Sequence, residues 1–316
     1  MIHRGLEVSV IMCTCARREL AHTCIASVVE QRDVDPNRLE LVIVDNSPSA
    51  YFREDAAAWA DRAPFSIVYV HEPVPNIARA RNAGCRAARG EFVAFIDDDE
   101  RAEPDWLARL LRAAETWQSD GVCGALRQDF DGGTAPTWDP DGLHFQGCFD
   151  LLPPGTPLQW AYSGNLLLRR RTCLSDTAPF DVRYGQTGGE DTAFTYALTR
   201  GGRSIVWSPD AVVHEFVPRH RMEMGYHLWR RLATAQISAR VQLQHDAPVR
   251  ATLRGTWLIA KGLGLTLGAL PAAITSCFAT EERLFSLRAP LFTGLGLALW
   301  PIPIKCHRER LDPRIV

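Results

Sequence analysis

Residues 90–100, GEFVAFIDDDE, join an apolar run to four consecutive acids. Residues 92–96 are uninterrupted by any polar group, the pattern of a strand buried on both faces, as in a parallel sheet. Asp97, Asp98, Asp99 and Glu100 at its carboxyl end repel one another and need a counter-charge. A divalent cation supplies one simply, because hard oxygen ligands suit Mg²⁺ or Mn²⁺. Carboxyl ends of strands in open α/β sheets are also where ligands bind. The same acids read equally well as a turn leading into a helix, whose dipole welcomes negative charge and whose first turn accepts Pro104.

Working outward, strands and helices alternate. Residues 8–13 read as a first strand, followed by a polar turn at 14–18. Leu20, Cys24, Ile25, Val28 and Val29 recur at helical spacing. Residues 39–44 form a second buried run, ended by the turn formers Asp45, Asn46 and Ser47. A small helix at 56–59, a strand at 65–70 and a helix at 77–89, stopped by Gly90, precede the strand at 92–96. This order means βαβ units and a parallel sheet. Downstream come an amphipathic helix at 104–117 and a strand at 122–126. A Gly-, Pro- and Asp-rich insertion at 129–156 is placed to line a site. The pattern then predicts an apolar run at 166–168, an acidic loop GQTGGED at 185–191 opening a helix, two short strands around Ile205 and Val212, and a long helix over 222–244.

The chain has 316 residues, 46% of them hydrophobic, enough for a large core. Its net charge of −2 argues against nucleic acid as a partner. Nine cysteines without a CxxC pair read as reduced, mostly buried thiols in a cytosolic setting. The first strand lacks the length of a signal-peptide core, so the bulk of the chain is expected in the cytoplasm. The last seventy residues differ. Residues 262–280 and 289–304 carry no charge, yet Gly, Thr and several prolines make each an awkward spanning helix. Basic residues flank them: Arg250, Arg254, Lys261, Arg283, Arg288, Lys305, Arg308 and Arg310. A monotopic hairpin over 256–305 on an anionic membrane face is one reading. A helical pair packed on protein is the other.

Polar groups fall at element ends: Asp45, Asp97 and Asp99, the pair Glu190 and Asp191, and His214. Ends of strands in one sheet converge, so these residues have a route to one cleft. Each also has a plain structural reading: a turn residue for Asp45, a helix cap for Glu190 and Asp191, a satisfied histidine for His214. Arg79, Arg81, Arg86 and Arg89 have one too, as a solvated helix face.

Taken together, VSVIMCTCARR, LVIVDNS, ARARNAGCRAARGEFVAFIDDDE, SGNLLLRR and GGEDTAFTYALTRGG resemble family 2 glycosyltransferases of the GT-A fold. FDVRYGQTGGEDTAF followed by GGRSIVWSPDAVVHEFVP is similar to bacterial exopolysaccharide enzymes, including those of succinoglycan assembly. The resemblance spans roughly residues 6–245. It implies an α/β catalytic domain over 1–245, a Rossmann-like, mostly parallel sheet flanked by helices. Its nucleotide-sugar half would cover about 1–125 and its acceptor half about 126–245; the composition of 246–316, beyond the resemblance, reads as a hydrophobic membrane-associating extension.

The resemblance also implies roles. Asp45 would hold the nucleobase, helped by the turn from Thr14. Asp97 would contact the ribose side, and Asp99 would bind the metal, Mn²⁺ or Mg²⁺, that carries the diphosphate. Arg81 and Asn82 would lie beside the nucleotide, Gly164 and Asn165 near the donor sugar. Asp191 would be the catalytic base, with Glu190 beside it at the donor, and His214 a further metal ligand. The implied partners are a UDP-sugar donor and a saccharide or lipid-linked acceptor, at the inner face of the plasma membrane. The chemistry is coherent. A diphosphate leaves well only when its charge is neutralised, which a divalent ion does. A hydroxyl attacks well only when a positioned carboxylate takes its proton. One displacement then inverts the anomeric centre without a second nucleophilic carboxylate. A nucleotidyltransferase would also want acids at strand ends, but the turn at 12–19 has no glycine to form a phosphate loop. A non-catalytic nucleotide-binding protein would have no use for both the Asp97/Asp99 pair and Asp191.

Overall fold

Every residue of β1 (Val8–Thr14) and of β2 (Leu39–Asp45) is buried. Strands apolar on both faces must sit inside a sheet covered on both sides. The computed structural model, which describes residues 6–175, 178–276 and 281–302, shows that arrangement. The further strands are β3 (Ser66–His71), β4 (Phe92–Asp97), β5 (Glu100–Ala102), β6 (Gly121–Phe130), β7 (Asn165–Arg169) and β8 (Ile205–Val217). They form one sheet in the order β3-β2-β1-β4-β7-β6-β8-β5. β3, β2, β1 and β4 are mutually parallel, β7 runs antiparallel between β4 and β6, and β5 is antiparallel to β8.

The helices are α1 (Arg18–Val29), α2 (Arg53–Ala60), α3 (Ile77–Ala87), α4 (Trp106–Thr116), the single turn α5 (Arg170–Cys173), α6 (Glu190–Arg200), α7 (Met224–Gln244), α8 (Pro248–Thr275) and α9 (Glu281–Ala298). Strand alternation divides the core in two. Val8, Val10, Met12, Leu41, Ile43, Ala94 and Ile96 face α1, α2 and α4. Ile11, Val42, Val44, Val93 and Phe95 face α3, α6 and the 149–161 loop. Each such side chain, fully buried, contributes roughly 1.5–3 kcal/mol, so the central strands are the least negotiable part of the fold. The free thiols of Cys13, Cys24, Cys123 and Cys173 are among the buried groups.

Three details differ from the sequence reading. The acids do not run straight into a helix. Glu100 turns inward, accepts the Asp97 N–H at 2.8 Å, and starts β5, so the helix begins only at Trp106. The two short strands around Ile205 and Val212 are one strand of 13 residues. Its register against β6 slips between Gly124 and Ala125, opposite Pro209, Asp210 and Ala211. Proline has no N–H for a ladder, and a bulge accommodates that. The third is α8, which continues through Pro271 for 28 residues.

The C-terminal helices pack as a pair. An added Cβ on Gly262 would lie 2.5 Å from the Ala298 nitrogen, and one on Gly294 would lie 2.7 Å from the Thr266 nitrogen, so backbones touch through glycines. Gly296 in turn abuts the Leu232 carbonyl of α7. α9 therefore sits between α7 and α8. The outer face of α8 is left exposed, with Val249, Leu253, Trp257, Leu263, Leu267 and Ile274 on it. Within Pro248–Ile274 α8 is long and apolar enough to cross a membrane, with an 18-residue stretch of mean hydropathy 1.5, 11% of it buried. Residues 277–280, and Lys305, Arg308 and Arg310 at the far end of the expected hairpin, lie outside the described residues.

Asn165 stitches the sheet's right-hand side together. Its amide nitrogen donates to the Ala125 and Ala211 carbonyls at 2.9 and 2.8 Å, and its oxygen accepts from the Trp106 indole at 2.7 Å. It is fully buried, so its side chain is not offered to a donor sugar. Asn165→Leu strands those partners, and urea unfolding should show a loss of roughly 2–4 kcal/mol. A loss within about 0.5 kcal/mol, the range of neutral surface changes, would remove Asn165 from this role.

Candidate active site

The sheet brings the carboxyl ends of β1 and β4 together, and the start of α6 closes over them. Thr14, at the end of β1, donates its hydroxyl to Asp98 Oδ2 at 2.8 Å. That bond turns the middle acid of the triplet inward, where it is 5% exposed. The next turn places Ala16 at φ 61°, a left-handed conformation that a non-glycine residue adopts at a cost. From that turn Arg17 reaches Asp98 Oδ1 at 3.1 Å and Asp99 Oδ2 at 2.9 Å. Asp97 points the other way. Its Oδ1 accepts from Arg81 Nη2 at 2.9 Å, and its side chain, 38% exposed, is the most open of the three.

Arg81, on α3, is 5% exposed and also donates to Glu190 Oε1 at the start of α6. Gly188 and Gly189 precede that helix at φ 79° and 90°, conformations that favour glycine. Gly189 also has no room for a side chain, since Ile237 of α7 lies against it. The loop before them is tied to α3. Asn82 exchanges two hydrogen bonds with the Phe180 backbone, at 2.7 and 2.9 Å, and Asn76 donates to the Val182 carbonyl at 3.0 Å. Asp191 follows, half-buried, accepting from the Ser163 and Thr192 N–H groups at 3.2 and 2.6 Å.

Carboxylates outnumber guanidinium groups in this cleft, and protonation responds. Burial pushes the Asp98 carboxyl up to about 7, with Arg17 pulling it down and Asp99 pushing it further up. Burial likewise pushes Glu190 up to about 7 against the pull of Arg81. Burial raises Glu100 and Glu215 as well. A cluster in which burial disfavours the ionised form of several acids is short of positive charge.

The expected site residues divide. Thr14, Arg81, Asp97, Asp99, Glu190 and Asp191 are brought to one cleft. Gly164 lies at its edge, where a Cβ would strike the Glu100 carboxylate. Four residues point elsewhere. Asp45 is fully buried and accepts from the Ser47 N–H and hydroxyl at 3.0 and 2.6 Å, the Phe52 N–H at 2.7 Å and the Tyr69 hydroxyl at 2.9 Å. A carboxylate has about four acceptor sites, and these four bonds fill them. Asn82 is 3% exposed and spent on Phe180, and Asn165 on the sheet. His214 contacts Glu103 at 3.2 Å and Asp129 at 3.4 Å, away from Asp99. Successive strand residues face opposite ways, so its neighbour Glu215 takes the inner position instead. Arg221 meets Glu215 at 3.3 Å and Asp99 at 3.2 Å.

The sequence reading placed Asp98 in the acid cluster without a role of its own and singled out neither Glu215 nor Arg221. The alternation of His214 and Glu215 on a strand would have identified Glu215, had β5 been seen as its partner. Among the described residues no three His, Cys, Asp or Glu side chains converge as a ready-made metal cage. Mg²⁺ commonly takes one or two carboxylates and completes its shell with substrate phosphates and waters. Asp97 and Asp99, hard oxygen donors in an acid-rich cleft, fit that mode.

The Glycosyl transferase family 2 profile matches residues 9–172. The succinoglycan biosynthesis protein ExoM of Rhizobium meliloti is 34% identical over 297 residues, 93% of each chain. Among solved structures, the mannosyltransferase PcManGT of Pyrobaculum calidifontis, in complex with GDP-Man and Mn²⁺, superposes with a TM-score of 0.61 at 19% identity, covering 95% of this chain and 89% of that one. S. aureus TarS 1-349, in complex with UDP-GlcNAc, gives 0.55 at 14% identity, covering 93% and 90%. These two show the fold, which is that of GT-A glycosyltransferases. The profile match over half the chain and the near full-length kinship with ExoM place the protein in glycosyl transferase family 2.

Proposed function

We propose that the chain is an inverting, divalent-metal-dependent hexosyltransferase. It moves a sugar from a UDP-sugar to a lipid-linked saccharide during exopolysaccharide assembly, at the inner face of the cytoplasmic membrane. One observation carries the reading. Arg81 ties Asp97, at the end of β4, to Glu190, at the start of α6, and so gathers the acids expected at the donor beside Asp191. The near full-length likeness to ExoM supports the exopolysaccharide setting. The neighbours' GDP-Man, Mn²⁺ and UDP-GlcNAc support a nucleotide-sugar donor and a divalent ion.

Asp97 and Asp99 would hold Mn²⁺ or Mg²⁺, which would supply charge neutralisation for the leaving diphosphate. The chain's own residues do the rest. Asp191 accepts the proton of the acceptor hydroxyl. That oxygen attacks the anomeric carbon as the bond to the diphosphate oxygen breaks, and the electron pair leaves with the nucleoside diphosphate. Glu190 is a poor base here because Arg81 occupies it and burial closes it off. Asp191 sits at a helix start, where negative charge is favoured, on a glycine-flanked turn that leaves room for an acceptor. The apolar outer face of α8, with Lys261 stacked 5.0 Å over Trp257 and Arg250 nearby, suits an anionic membrane surface that also carries the acceptor.

The deciding experiment is sugar transfer from a panel of UDP- and GDP-sugars to membrane-extracted lipid-linked saccharide. Transfer should need a divalent ion and prefer UDP-sugars. Asp99→Ala should abolish it with the fold intact by circular dichroism, and full activity in excess EDTA would refute the metal. Asp191→Asn should keep donor affinity and lose roughly 10²–10⁴-fold in transfer rate, the usual worth of a general base. If weaker donor binding accounts for the whole loss, Asp191 is a binding residue. Flotation with anionic vesicles should carry full-length protein but not the triple variant Leu253→Ser, Trp257→Ser, Leu267→Ser. Equal flotation of both would show that α8 is not the membrane contact.

A further inference from the structure

Asp99 receives two arginines at one oxygen. Arg17, from the turn after β1, puts Nη1 at 2.9 Å from Asp99 Oδ2. Arg221, from the short helical turn Arg219–Arg221 after β8, puts its Nη1 at 3.2 Å from the same atom. The two guanidinium groups carry like charge and come from opposite ends of the catalytic fold. What holds both in place is acid: Asp98 adds a contact to Arg17 at 3.1 Å, and Glu215 adds one to Arg221 at 3.3 Å. Arg81, the third arginine of the cleft, is locked between Asp97 and Glu190. Arg17 and Arg221 thus form a positive pair whose common anchor is the carboxylate expected to meet the cation.

A cation that binds through Asp99 Oδ2 competes with both guanidinium groups. If it arrives with a diphosphate, the displaced forks meet new acceptors, because guanidinium geometry matches phosphate oxygens. We infer that Arg17 and Arg221 are ligands of the donor's diphosphate, held on Asp99 until a divalent cation takes that carboxylate. The exchange keeps the cleft balanced. Before binding, two arginines neutralise Asp99. Afterwards the cation neutralises Asp99, and the arginines neutralise the phosphates. This rests on the reading of the chain as a metal-dependent nucleotide-sugar transferase, and its signature is separable from that reading.

The signature is a pair of opposite signs. Removing a competitor from Asp99 should tighten the binding of a bare cation, and removing a phosphate ligand should weaken the nucleotide. Calorimetry on the full-length chain can measure both: MnCl₂ alone, then UDP at saturating Mn²⁺. Arg221→Gln should bind Mn²⁺ more tightly and UDP more weakly, each by roughly tenfold, the worth of one charge-assisted hydrogen bond. Arg17→Gln should show the same two signs. Its side chain is 30% exposed, so it reports even if the more buried Arg221 variant fails to fold. Arg221→Lys keeps the charge and loses the fork, so its Mn²⁺ affinity should stay near wild type while its UDP affinity falls between the other two. If Mn²⁺ and UDP affinities move together, or neither moves in Arg17→Gln and Arg221→Gln, the arginines are structural braces and the inference falls. A wild-type protein that binds Mn²⁺–UDP beside unchanged variants overturns only this inference. A wild-type protein that binds no nucleotide overturns the transferase reading with it.

Discussion

A buried guanidinium must be paid for by acids placed against it, and Arg81 imposes that condition on the whole catalytic domain. It rises from α3 and meets Asp97 from the end of β4 and Glu190 from the start of α6. Without both partners Arg81 would be a charge stranded at about 5% exposure, the situation that typically costs 3–5 kcal/mol. Helix, strand end and loop are therefore fixed relative to one another by electrostatics as well as by packing. The same contact sorts the Glu-Asp pair. Glu190 is consumed as a counter-ion, which leaves Asp191 at the cleft with its oxygens on backbone N–H groups.

Backbone geometry supports this arrangement where side chains cannot. The left-handed turn at Ala16 brings Arg17 back over the acids, and Gly188 and Gly189 pass α6 close beneath α7. Asn46, Asn76 and Asn82 work as backbone clamps. Asn46 donates to the Glu72 and Val74 carbonyls at 2.8 Å and accepts from the Asn76 N–H at 2.8 Å. Asn76 and Asn82 then hold the 180–182 segment on α3. A chain of short amides thus runs from the end of β2 to the loop that delivers Asp191. Sites held to this degree lose little freedom when a substrate orders them.

The sheet was legible because its cause is local. Uninterrupted apolar runs at 8–13, 39–44 and 92–96 have no stable place except a covered parallel sheet, and β1, β2 and β4 are where those runs predicted. The convergence of Asp97, Asp99, Arg81 and Asp191 on one cleft was legible for a related reason, since element ends in such a sheet converge. The differences fall where direction matters. Asp45 ends its strand as expected, but the Ser47 hydroxyl, the Phe52 amide and the Tyr69 phenol surround it. Asn82 and Asn165 sit beside the cleft and spend their amides on backbone. His214 and Glu215 differ by one residue and so by one face of a strand. That face is set by pairing to β5, three residues long and hidden inside a run of charges. None of these directions follows from composition or spacing, because each depends on partners distant in the chain.

The extension is where local and tertiary causes meet. Glycines at 262, 294 and 296 remove the side chains that would hold three helices apart, so α8, α9 and α7 approach at backbone distance. Apolar length and small-residue contacts are the traits of helices that associate in lipid, yet the inner partner here is α7, which also packs on the start of α6. α7 also bears Ile237 against Gly189, and follows directly on the turn that carries Arg221. One helix therefore touches α9 on one side and the glycine turn before α6 on the other. The place of α8 relative to the cleft is therefore set through α9 and α7 by packing at backbone distance.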